Sequence, residues 1–202
     1  MEDHLIADAA TGSEEDFRQL VETYAPRIYN IALRMCKNPT DAEDITQEVF
    51  IKLHRSLESF KGDSAFSTFL YRVTANTCLD FLRKQKKMTT VPLYSEGEAG
   101  RLETVIPDEG ERPEEISERK ELRRVVLRGL DRLPKDQRIV LTLRDLEGLT
   151  YTEISEALGL AEGTVKSRIC RAREKLRKIL KEDGTFRELY ESNEKKKGGD
   201  AQ

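Results

Sequence analysis

Residues 148 to 181 read Gly-Leu-Thr-Tyr-Thr-Glu-Ile-Ser-Glu-Ala-Leu-Gly-Leu-Ala-Glu-Gly-Thr-Val-Lys-Ser-Arg-Ile-Cys-Arg-Ala-Arg-Glu-Lys-Leu-Arg-Lys-Ile-Leu-Lys. Thr150, followed three residues on by Glu153, is a capping box in which each side chain satisfies a backbone amide left free at a helix start. Gly159 stops that helix, because glycine takes the left-handed backbone conformation that other residues resist. A second helix repeats apolar residues at Val165, Ile169, Ala172, Leu176 and Ile179 or Leu180, a stripe of helical period that must pack on the rest of its domain.

Projected at about 100° per residue, Lys166, Ser167, Cys170, Arg171 and Glu174 lie opposite that stripe, and Arg168, Arg173 and Lys175 flank it. Residues 161 to 181 hold eight Lys or Arg and two acids, a basic patch in a chain of net charge -3. Paired helices, a tight turn and a basic outward face predict a helix-turn-helix directed at duplex DNA. Its central side chains reach base edges in the major groove, and its flanking cations hold phosphates. A solvated amphipathic helix is the alternative reading of the second helix.

Working outward, the 202 residues give room for one large or two small domains, and 37% are hydrophobic and 36% charged. Apolar periodicity is mostly helical, so the expected fold is all-α. No apolar run is long enough to span a bilayer, and the opening Met-Glu-Asp-His is no signal peptide. The expectation is a cytoplasmic protein without membrane insertion. Cys36, Cys78 and Cys170 lack paired metal or redox spacing, and His4 and His54 stand alone. Disulfide scaffold, zinc site and thiol or imidazole catalysis all lack their parts, so neither metal, cofactor nor enzyme activity is expected.

Tyr94 to Glu121 carries ten acids against four bases, with Pro107, Pro113 and three glycines, and reads mainly as a flexible acidic linker. The predicted organisation is an extension over 1–12, a helical domain over 13–90, the linker over 91–117, the helix-turn-helix domain over 118–182 and a disordered tail over 183–202. In the first domain Ser13 caps a helix, and Pro26 opens the next. Asn38-Pro39 breaks the chain, and Thr40 with Glu43 forms another capping box. The helix that follows buries Ile45, Val49, Leu53 and Leu57, leaving Asp41, Asp44, Glu48 and Ile51 on the opposite face.

Such an acidic face is either an interaction surface or simply a solvated side, and taken alone the solvated side is the commoner case. A dimetal carboxylate centre does not fit, since the acids face away from the core stripe and no Glu-x-x-His pair is present. Residues 60–72 form a glycine-containing loop leading into a helix rich in aromatics that ends in Arg83-Lys84-Gln85-Lys86-Lys87. Rings beside a basic run suit single-stranded nucleic acid, although each ring taken separately fits core packing better.

Three segments together resemble the bacterial RNA polymerase sigma factors of the extracytoplasmic function (ECF) group, in the sigma-70 superfamily. They are Asn-Pro-Thr-Asp-Ala-Glu-Asp-Ile-Thr-Gln-Glu-Val-Phe at 38 to 50, Phe-Lys-Gly-Asp-Ser-Ala-Phe-Ser-Thr-Phe-Leu-Tyr-Arg-Val-Thr-Ala-Asn at 60 to 76, and the run from Leu-Pro-Lys-Asp-Gln-Arg to Arg-Ala-Arg-Glu-Lys-Leu at 133 to 176. The resemblance covers about residues 13 to 182.

It implies that the first domain, region 2, docks on the polymerase core through Asp44, Gln47 and Glu48, with Ile51 on the same face, and opens the downstream promoter element. A non-template base would be captured by Asn76, Phe66 and Phe69, with Lys61, Arg72, Arg83 and Lys84 on the strand's backbone. The second domain, region 4, would read an upstream duplex element with Lys166, Ser167, Cys170 and Arg171 toward bases and Thr164, Arg168 and Arg173 on phosphates. The acidic linker would thread a positively charged polymerase cleft. The resemblance further implies an anti-sigma factor as partner.

Three positions depart from the family pattern. Ala161 stands where Ser or Pro is common, Phe69 replaces a common tryptophan, and Cys170 is a weak donor in a base-reading position. Two rival functions remain: a helix-turn-helix regulator that binds duplex DNA without polymerase, and a helical metal-dependent enzyme. The first calls for strands or a ligand pocket in the N-terminal half, the second for histidine and carboxylate spacings that the chain lacks.

Overall fold

The computed structural model describes residues 13–57, 65–88 and 113–188, together with 190. Helices α1 (Glu14–Cys36), α2 (Pro39–Leu57) and α3 (Phe66–Met88) form the first domain. The second contains α4 (Pro113–Asp131), α5 (Lys135–Leu141) running into a π-helical turn (Thr142–Leu146), α6 (Tyr151–Leu158) and α7 (Glu162–Glu182). No strand occurs among the described residues, so the all-α expectation holds.

Helix α1 starts on Ser13, whose Oγ accepts from the Asp16 amide at 3.3 Å. It does not break at Pro26, which lies inside one continuous helix. Proline removes an amide and crowds the carbonyl four residues back, but Pro26 and Glu22 both face solvent, where water serves that carbonyl. The line Leu20, Tyr24, Ile28 and Ile31 is buried on both sides of the proline and outweighs the local penalty. The helix ends on Lys37 in the left-handed conformation (φ 64), its amide bonded to the Leu33 carbonyl at 2.9 Å.

Helix α2 opens differently from the sequence expectation. Asn38 is its cap, with Oδ1 accepting from the Asp41 amide at 3.1 Å. Pro39, with its preset φ, fills the first helical position, which places Thr40 within the first turn. Ala42, Ile45, Val49, Leu53 and Leu57 then face inward.

Helix α3 is buried on more than one side. It packs against α1 and α2, and also against α6 of the second domain. Thr74 and Thr77 tolerate this because their hydroxyls donate to the carbonyls of Leu70 and Val73, both at 2.8 Å. The two domains therefore share one hydrophobic cluster, running from Leu20 to Ile179.

In the second domain, α4 begins at Pro113, five residues ahead of the predicted boundary. Gly129 lies where α4 crosses α7, and a Cβ there would come within 2.9 Å of Leu176 Cδ1. The capping box forms as read: the Glu153 amide donates to Thr150 Oγ1 at 3.2 Å, and the Thr150 amide to Glu153 Oε2 at 2.7 Å. Those bonds from Thr150 hold the Glu153 carboxyl below its ordinary range. Gly159 ends α6 at φ 62. Past α7, Asp183 Oδ1 accepts from the Phe186 amide at 3.1 Å, and residues 184–188 are helical, where the sequence reads as a frayed helix running into a tail.

Ala161 caps α7 with the extended backbone of a cap residue but no side-chain bond. Replacing it with serine supplies the missing acceptor, so Ala161→Ser is expected to stabilise the fold by about 0.5–1 kcal/mol, and Thr150→Ala to destabilise it by about 1 kcal/mol. Urea unfolding followed by circular dichroism measures both.

Candidate nucleic-acid interface

Helix α7 presents the face that its periodicity predicts. Val165, Ile169 and Ala172 are buried, and Lys166, Ser167, Cys170, Arg171 and Arg173 are exposed, with Thr164 and Arg168 half-buried beside them. The exposed cations are held rather than loose. Arg171 donates from Nε to the Ser167 carbonyl and from Nη2 to Ser167 Oγ, each at 3.2 Å, while Ser167 donates back to the Thr164 carbonyl at 3.0 Å. Lys166 pairs with Glu162 at 2.7 Å, and hydrogen bonding to that carboxylate raises its pKa.

Supporting groups come from elements that the sequence reading left out. The π-helical turn carries Asp145, which forms an ion pair with Arg173 and thereby raises the guanidinium's pKa. Arg144 donates to the Leu149 carbonyl at 2.6 Å and stands over the Tyr151 ring, 4.9 Å from its centroid, with Lys166 5.7 Å from the same centroid. A ring between two cations holds both by its negative face. No spacing in the sequence marks Arg144 and Asp145, both in the widened turn, as neighbours of α7, whereas Tyr151 opens α6 within the helix-turn-helix itself.

On α3, Arg72, Asn76, Arg83 and Lys84 are exposed. Arg72, Asn76 and Arg83 share a strip with Asp80, which accepts from Arg83 at 2.8 Å. Phe66 and Phe69 do not join the strip. They are 6% and 8% exposed, Phe66 lies edge-on to Tyr24 at 5.6 Å, and Arg72 sits over Phe69 at 5.2 Å. Core packing claims both rings because α3 is enclosed by α1 and α2, and this leaves them little area on which to stack a base. Lys61 lies outside the described residues.

On α2, Asp44, Gln47, Glu48 and Ile51 are exposed together, Ile51 at 46%. Glu48 pairs with Lys52 at 3.3 Å. Asp41, at the edge of this face, has a raised pKa, chiefly from burial and then from the Asp44 charge. The molecule thus carries a basic face on α7, a mixed polar strip on α3 and an acidic face with an exposed isoleucine on α2. No group of three or more potential metal ligands gathers among the described residues.

The Sigma-70 region 2 family model matches residues 20–88, and the Sigma-70, region 4 model matches residues 123–176. The chain is 38% identical over 171 residues to the ECF RNA polymerase sigma-E factor of Escherichia coli, covering 84% of this chain and 89% of that one. It belongs to the ECF sigma factor family.

The sigma-E factor of Haemophilus influenzae is 37% identical over 172 residues, with 84% of this chain and 90% of that one covered. Among solved structures, CnrH in complex with the cytosolic domain of CnrY superposes with a TM-score of 0.65 at 27% identity, over 91% of this chain and 99% of that one. The sigma factor RpoE of Bartonella quintana, solved with the anti-sigma factor NepR, shares the fold at a TM-score of 0.63 and 24% identity, covering 84% and 99% of the two chains. Helices α1 to α3 are region 2, and α4 to α7 region 4.

The cysteines of this sigma factor report on its surfaces. Cys170 is exposed, Cys36 intermediate and Cys78 buried, with burial pushing the Cys78 thiol up to about 12. A thiol reagent at pH 8 is expected to modify Cys170 first and Cys78 only after denaturant is added, because the thiolate is the reacting form. Mass spectrometry of the timed reaction identifies the order.

Proposed function

We propose that this chain binds RNA polymerase core, directs it to specific promoters and promotes strand opening for transcription initiation, without chemistry of its own. Nucleotide transfer belongs to the polymerase. The observation that carries this reading is the coexistence, on one chain with region 2 and region 4, of an exposed acidic face on α2 and an exposed, internally braced basic face on α7.

Asp44, Gln47, Glu48 and Ile51 dock on core, where an apolar centre within a charged rim is a usual interface arrangement. Lys166, Ser167, Cys170 and Arg171 face base edges of an upstream duplex element, and Thr164, Arg168 and Arg173 take phosphates. Internal acids hold Lys166 and Arg173 until DNA replaces them, base edges at Lys166 and a phosphate at Arg173. Arg72, Asn76, Arg83 and Lys84 follow the melted non-template strand, together with Lys61. Flipping a base costs a few kcal/mol, which contacts along that strip must offset. Phe66 and Phe69 act from beneath, Phe69 by seating Arg72.

No helix of the described residues is long and apolar enough to cross a membrane. The proposed site of action is the cytoplasm, where polymerase and promoter DNA meet. The partner in the CnrH structure and the anti-sigma factor in the RpoE structure support an anti-sigma factor for this chain too.

Replacing Arg171 with alanine is expected to lower promoter-selective transcription in vitro by roughly 5- to 150-fold, the worth of about 1–3 kcal/mol of base discrimination, with core affinity unchanged. Undiminished transcription removes the base-reading assignment. The double variant Asp44→Asn, Glu48→Gln is expected to weaken core binding about tenfold or more, measured by fluorescence anisotropy with purified core. Unchanged affinity overturns the docking assignment.

A further inference from the structure

Helix α7 is longer than the reading of a groove requires. Its 21 residues span about 32 Å, and it runs on to Glu182 although the region 4 match ends at residue 176. The exposed line through Ser167, Cys170 and Glu174 continues at helical spacing into Lys178 and Lys181, and Arg177 is exposed beside them.

This half of the helix is firmly seated. Ile179 and Leu180 are buried on its inner side, and Leu176 and Leu180 close on Gly129 of α4. The cations on the outer side therefore stand at a set distance from the base-facing residues. Lys178 lies about 16 Å and Lys181 about 21 Å along the axis from Ser167.

Charge favours an anion here. Residues 177–187 hold Arg177, Lys178, Lys181 and Arg187 against Glu182 and Asp183. Glu174 pairs with Lys178 at 3.1 Å, but both side chains are well exposed, so the pair is weak and exchangeable. Asp183 is turned inward to its own backbone, accepting from the Phe186 amide.

The end of α7 is also protected from the repulsion that a helix C-terminus exerts on phosphate through its partial negative charge. Arg187 comes back through the capped turn, and its Nη2 donates to the Lys181 carbonyl at 3.0 Å. A merely solvated face needs neither this covering cation nor a line continuous with the reading half.

We infer that the C-terminal part of α7 is a second DNA-contacting surface, in which Arg177, Lys178 and Lys181 take phosphates of the duplex flanking the upstream element without reading sequence. It rests on α7 being the helix that enters the major groove. With Ser167 and Arg171 at base edges, a groove about 12 Å wide cannot also enclose side chains about 16–21 Å further along, so these meet the sugar-phosphate rim. Their contribution is then charge neutralisation and counterion release, which salt opposes.

The test compares the full-length wild type with the triple variant Arg177→Gln, Lys178→Gln, Lys181→Gln, first as free chain on a random-sequence duplex over a range of salt concentrations. The plot of log affinity against log salt is expected to flatten by about 2–3 in the variant, since each phosphate contact contributes about 0.9 to the slope. Equal slopes overturn the proposal. All three positions are exposed, and circular dichroism checks that helicity is kept; if the triple variant loses it, Lys181→Gln alone decides, with an expected flattening of about 0.9.

Both proteins are then assembled with core and used to enrich genomic duplex fragments. The variant is expected to enrich the same upstream element with weaker affinity at every sequence. A changed element would make these residues base readers, and weaker core binding at an unchanged slope would give them to a protein partner; either result overturns the proposal. A wild type that binds no core, or enriches no element, refutes the sigma reading and leaves the slopes on random duplex to judge this surface. A wild type that binds duplex in neither form overturns both.

Discussion

The enclosure of α3 is the constraint on which the other features depend. One helix serves as the third wall of region 2 and as the floor on which α6 rests, so its first three turns are given largely to packing. What remains for partners is a narrow line of polar side chains. The same enclosure draws Phe66 and Phe69 inward and folds threonine hydroxyls back onto their own helix. It also merges two domain cores into one cluster. A chain of this size gains stability from such a merger because a larger share of its surface leaves water.

The recognition helix was legible to the residue. Its capping box, its glycine stop and its buried stripe all arise from interactions between neighbours three or four positions apart, and such interactions are written in spacing. Region 2's acidic face was legible for the same reason. Elsewhere local rules met competitors of comparable strength. Pro26 has the features of a helix start, but the buried line on either side of it was continuous, and packing prevailed over the local penalty. At the start of α2 the pair read as a chain break, Asn38-Pro39, supplies the cap and first turn in place of Thr40.

What could not be read were contacts across the fold. Arg138 looks like an ordinary surface cation in a charged run, and nothing near it marks the carbonyls of Arg34 and Met35 in α1 as its partners. Asp145 reaches Arg173 only because the backbone widens into a π-helical turn, a geometry without a spacing signature. Aromatic rings posed the same difficulty in reverse: a stacking platform and a core residue look alike in sequence, and the enclosing helices decide between them.

Gly129 carries a consequence for how such a protein changes its target. It seats the C-terminal half of α7 against α4 at Leu176 and Leu180. Lys166 lies about 15 Å along the axis from that seat, at about 1.5 Å per residue. A tilt of roughly 5° about this pivot moves the N-terminal end of the helix by more than about 1 Å, comparable to the tolerance of a paired hydrogen bond. A bulkier residue at 129 would act as a wedge under a lever, displacing the exposed basic face of α7 from a site about three turns away.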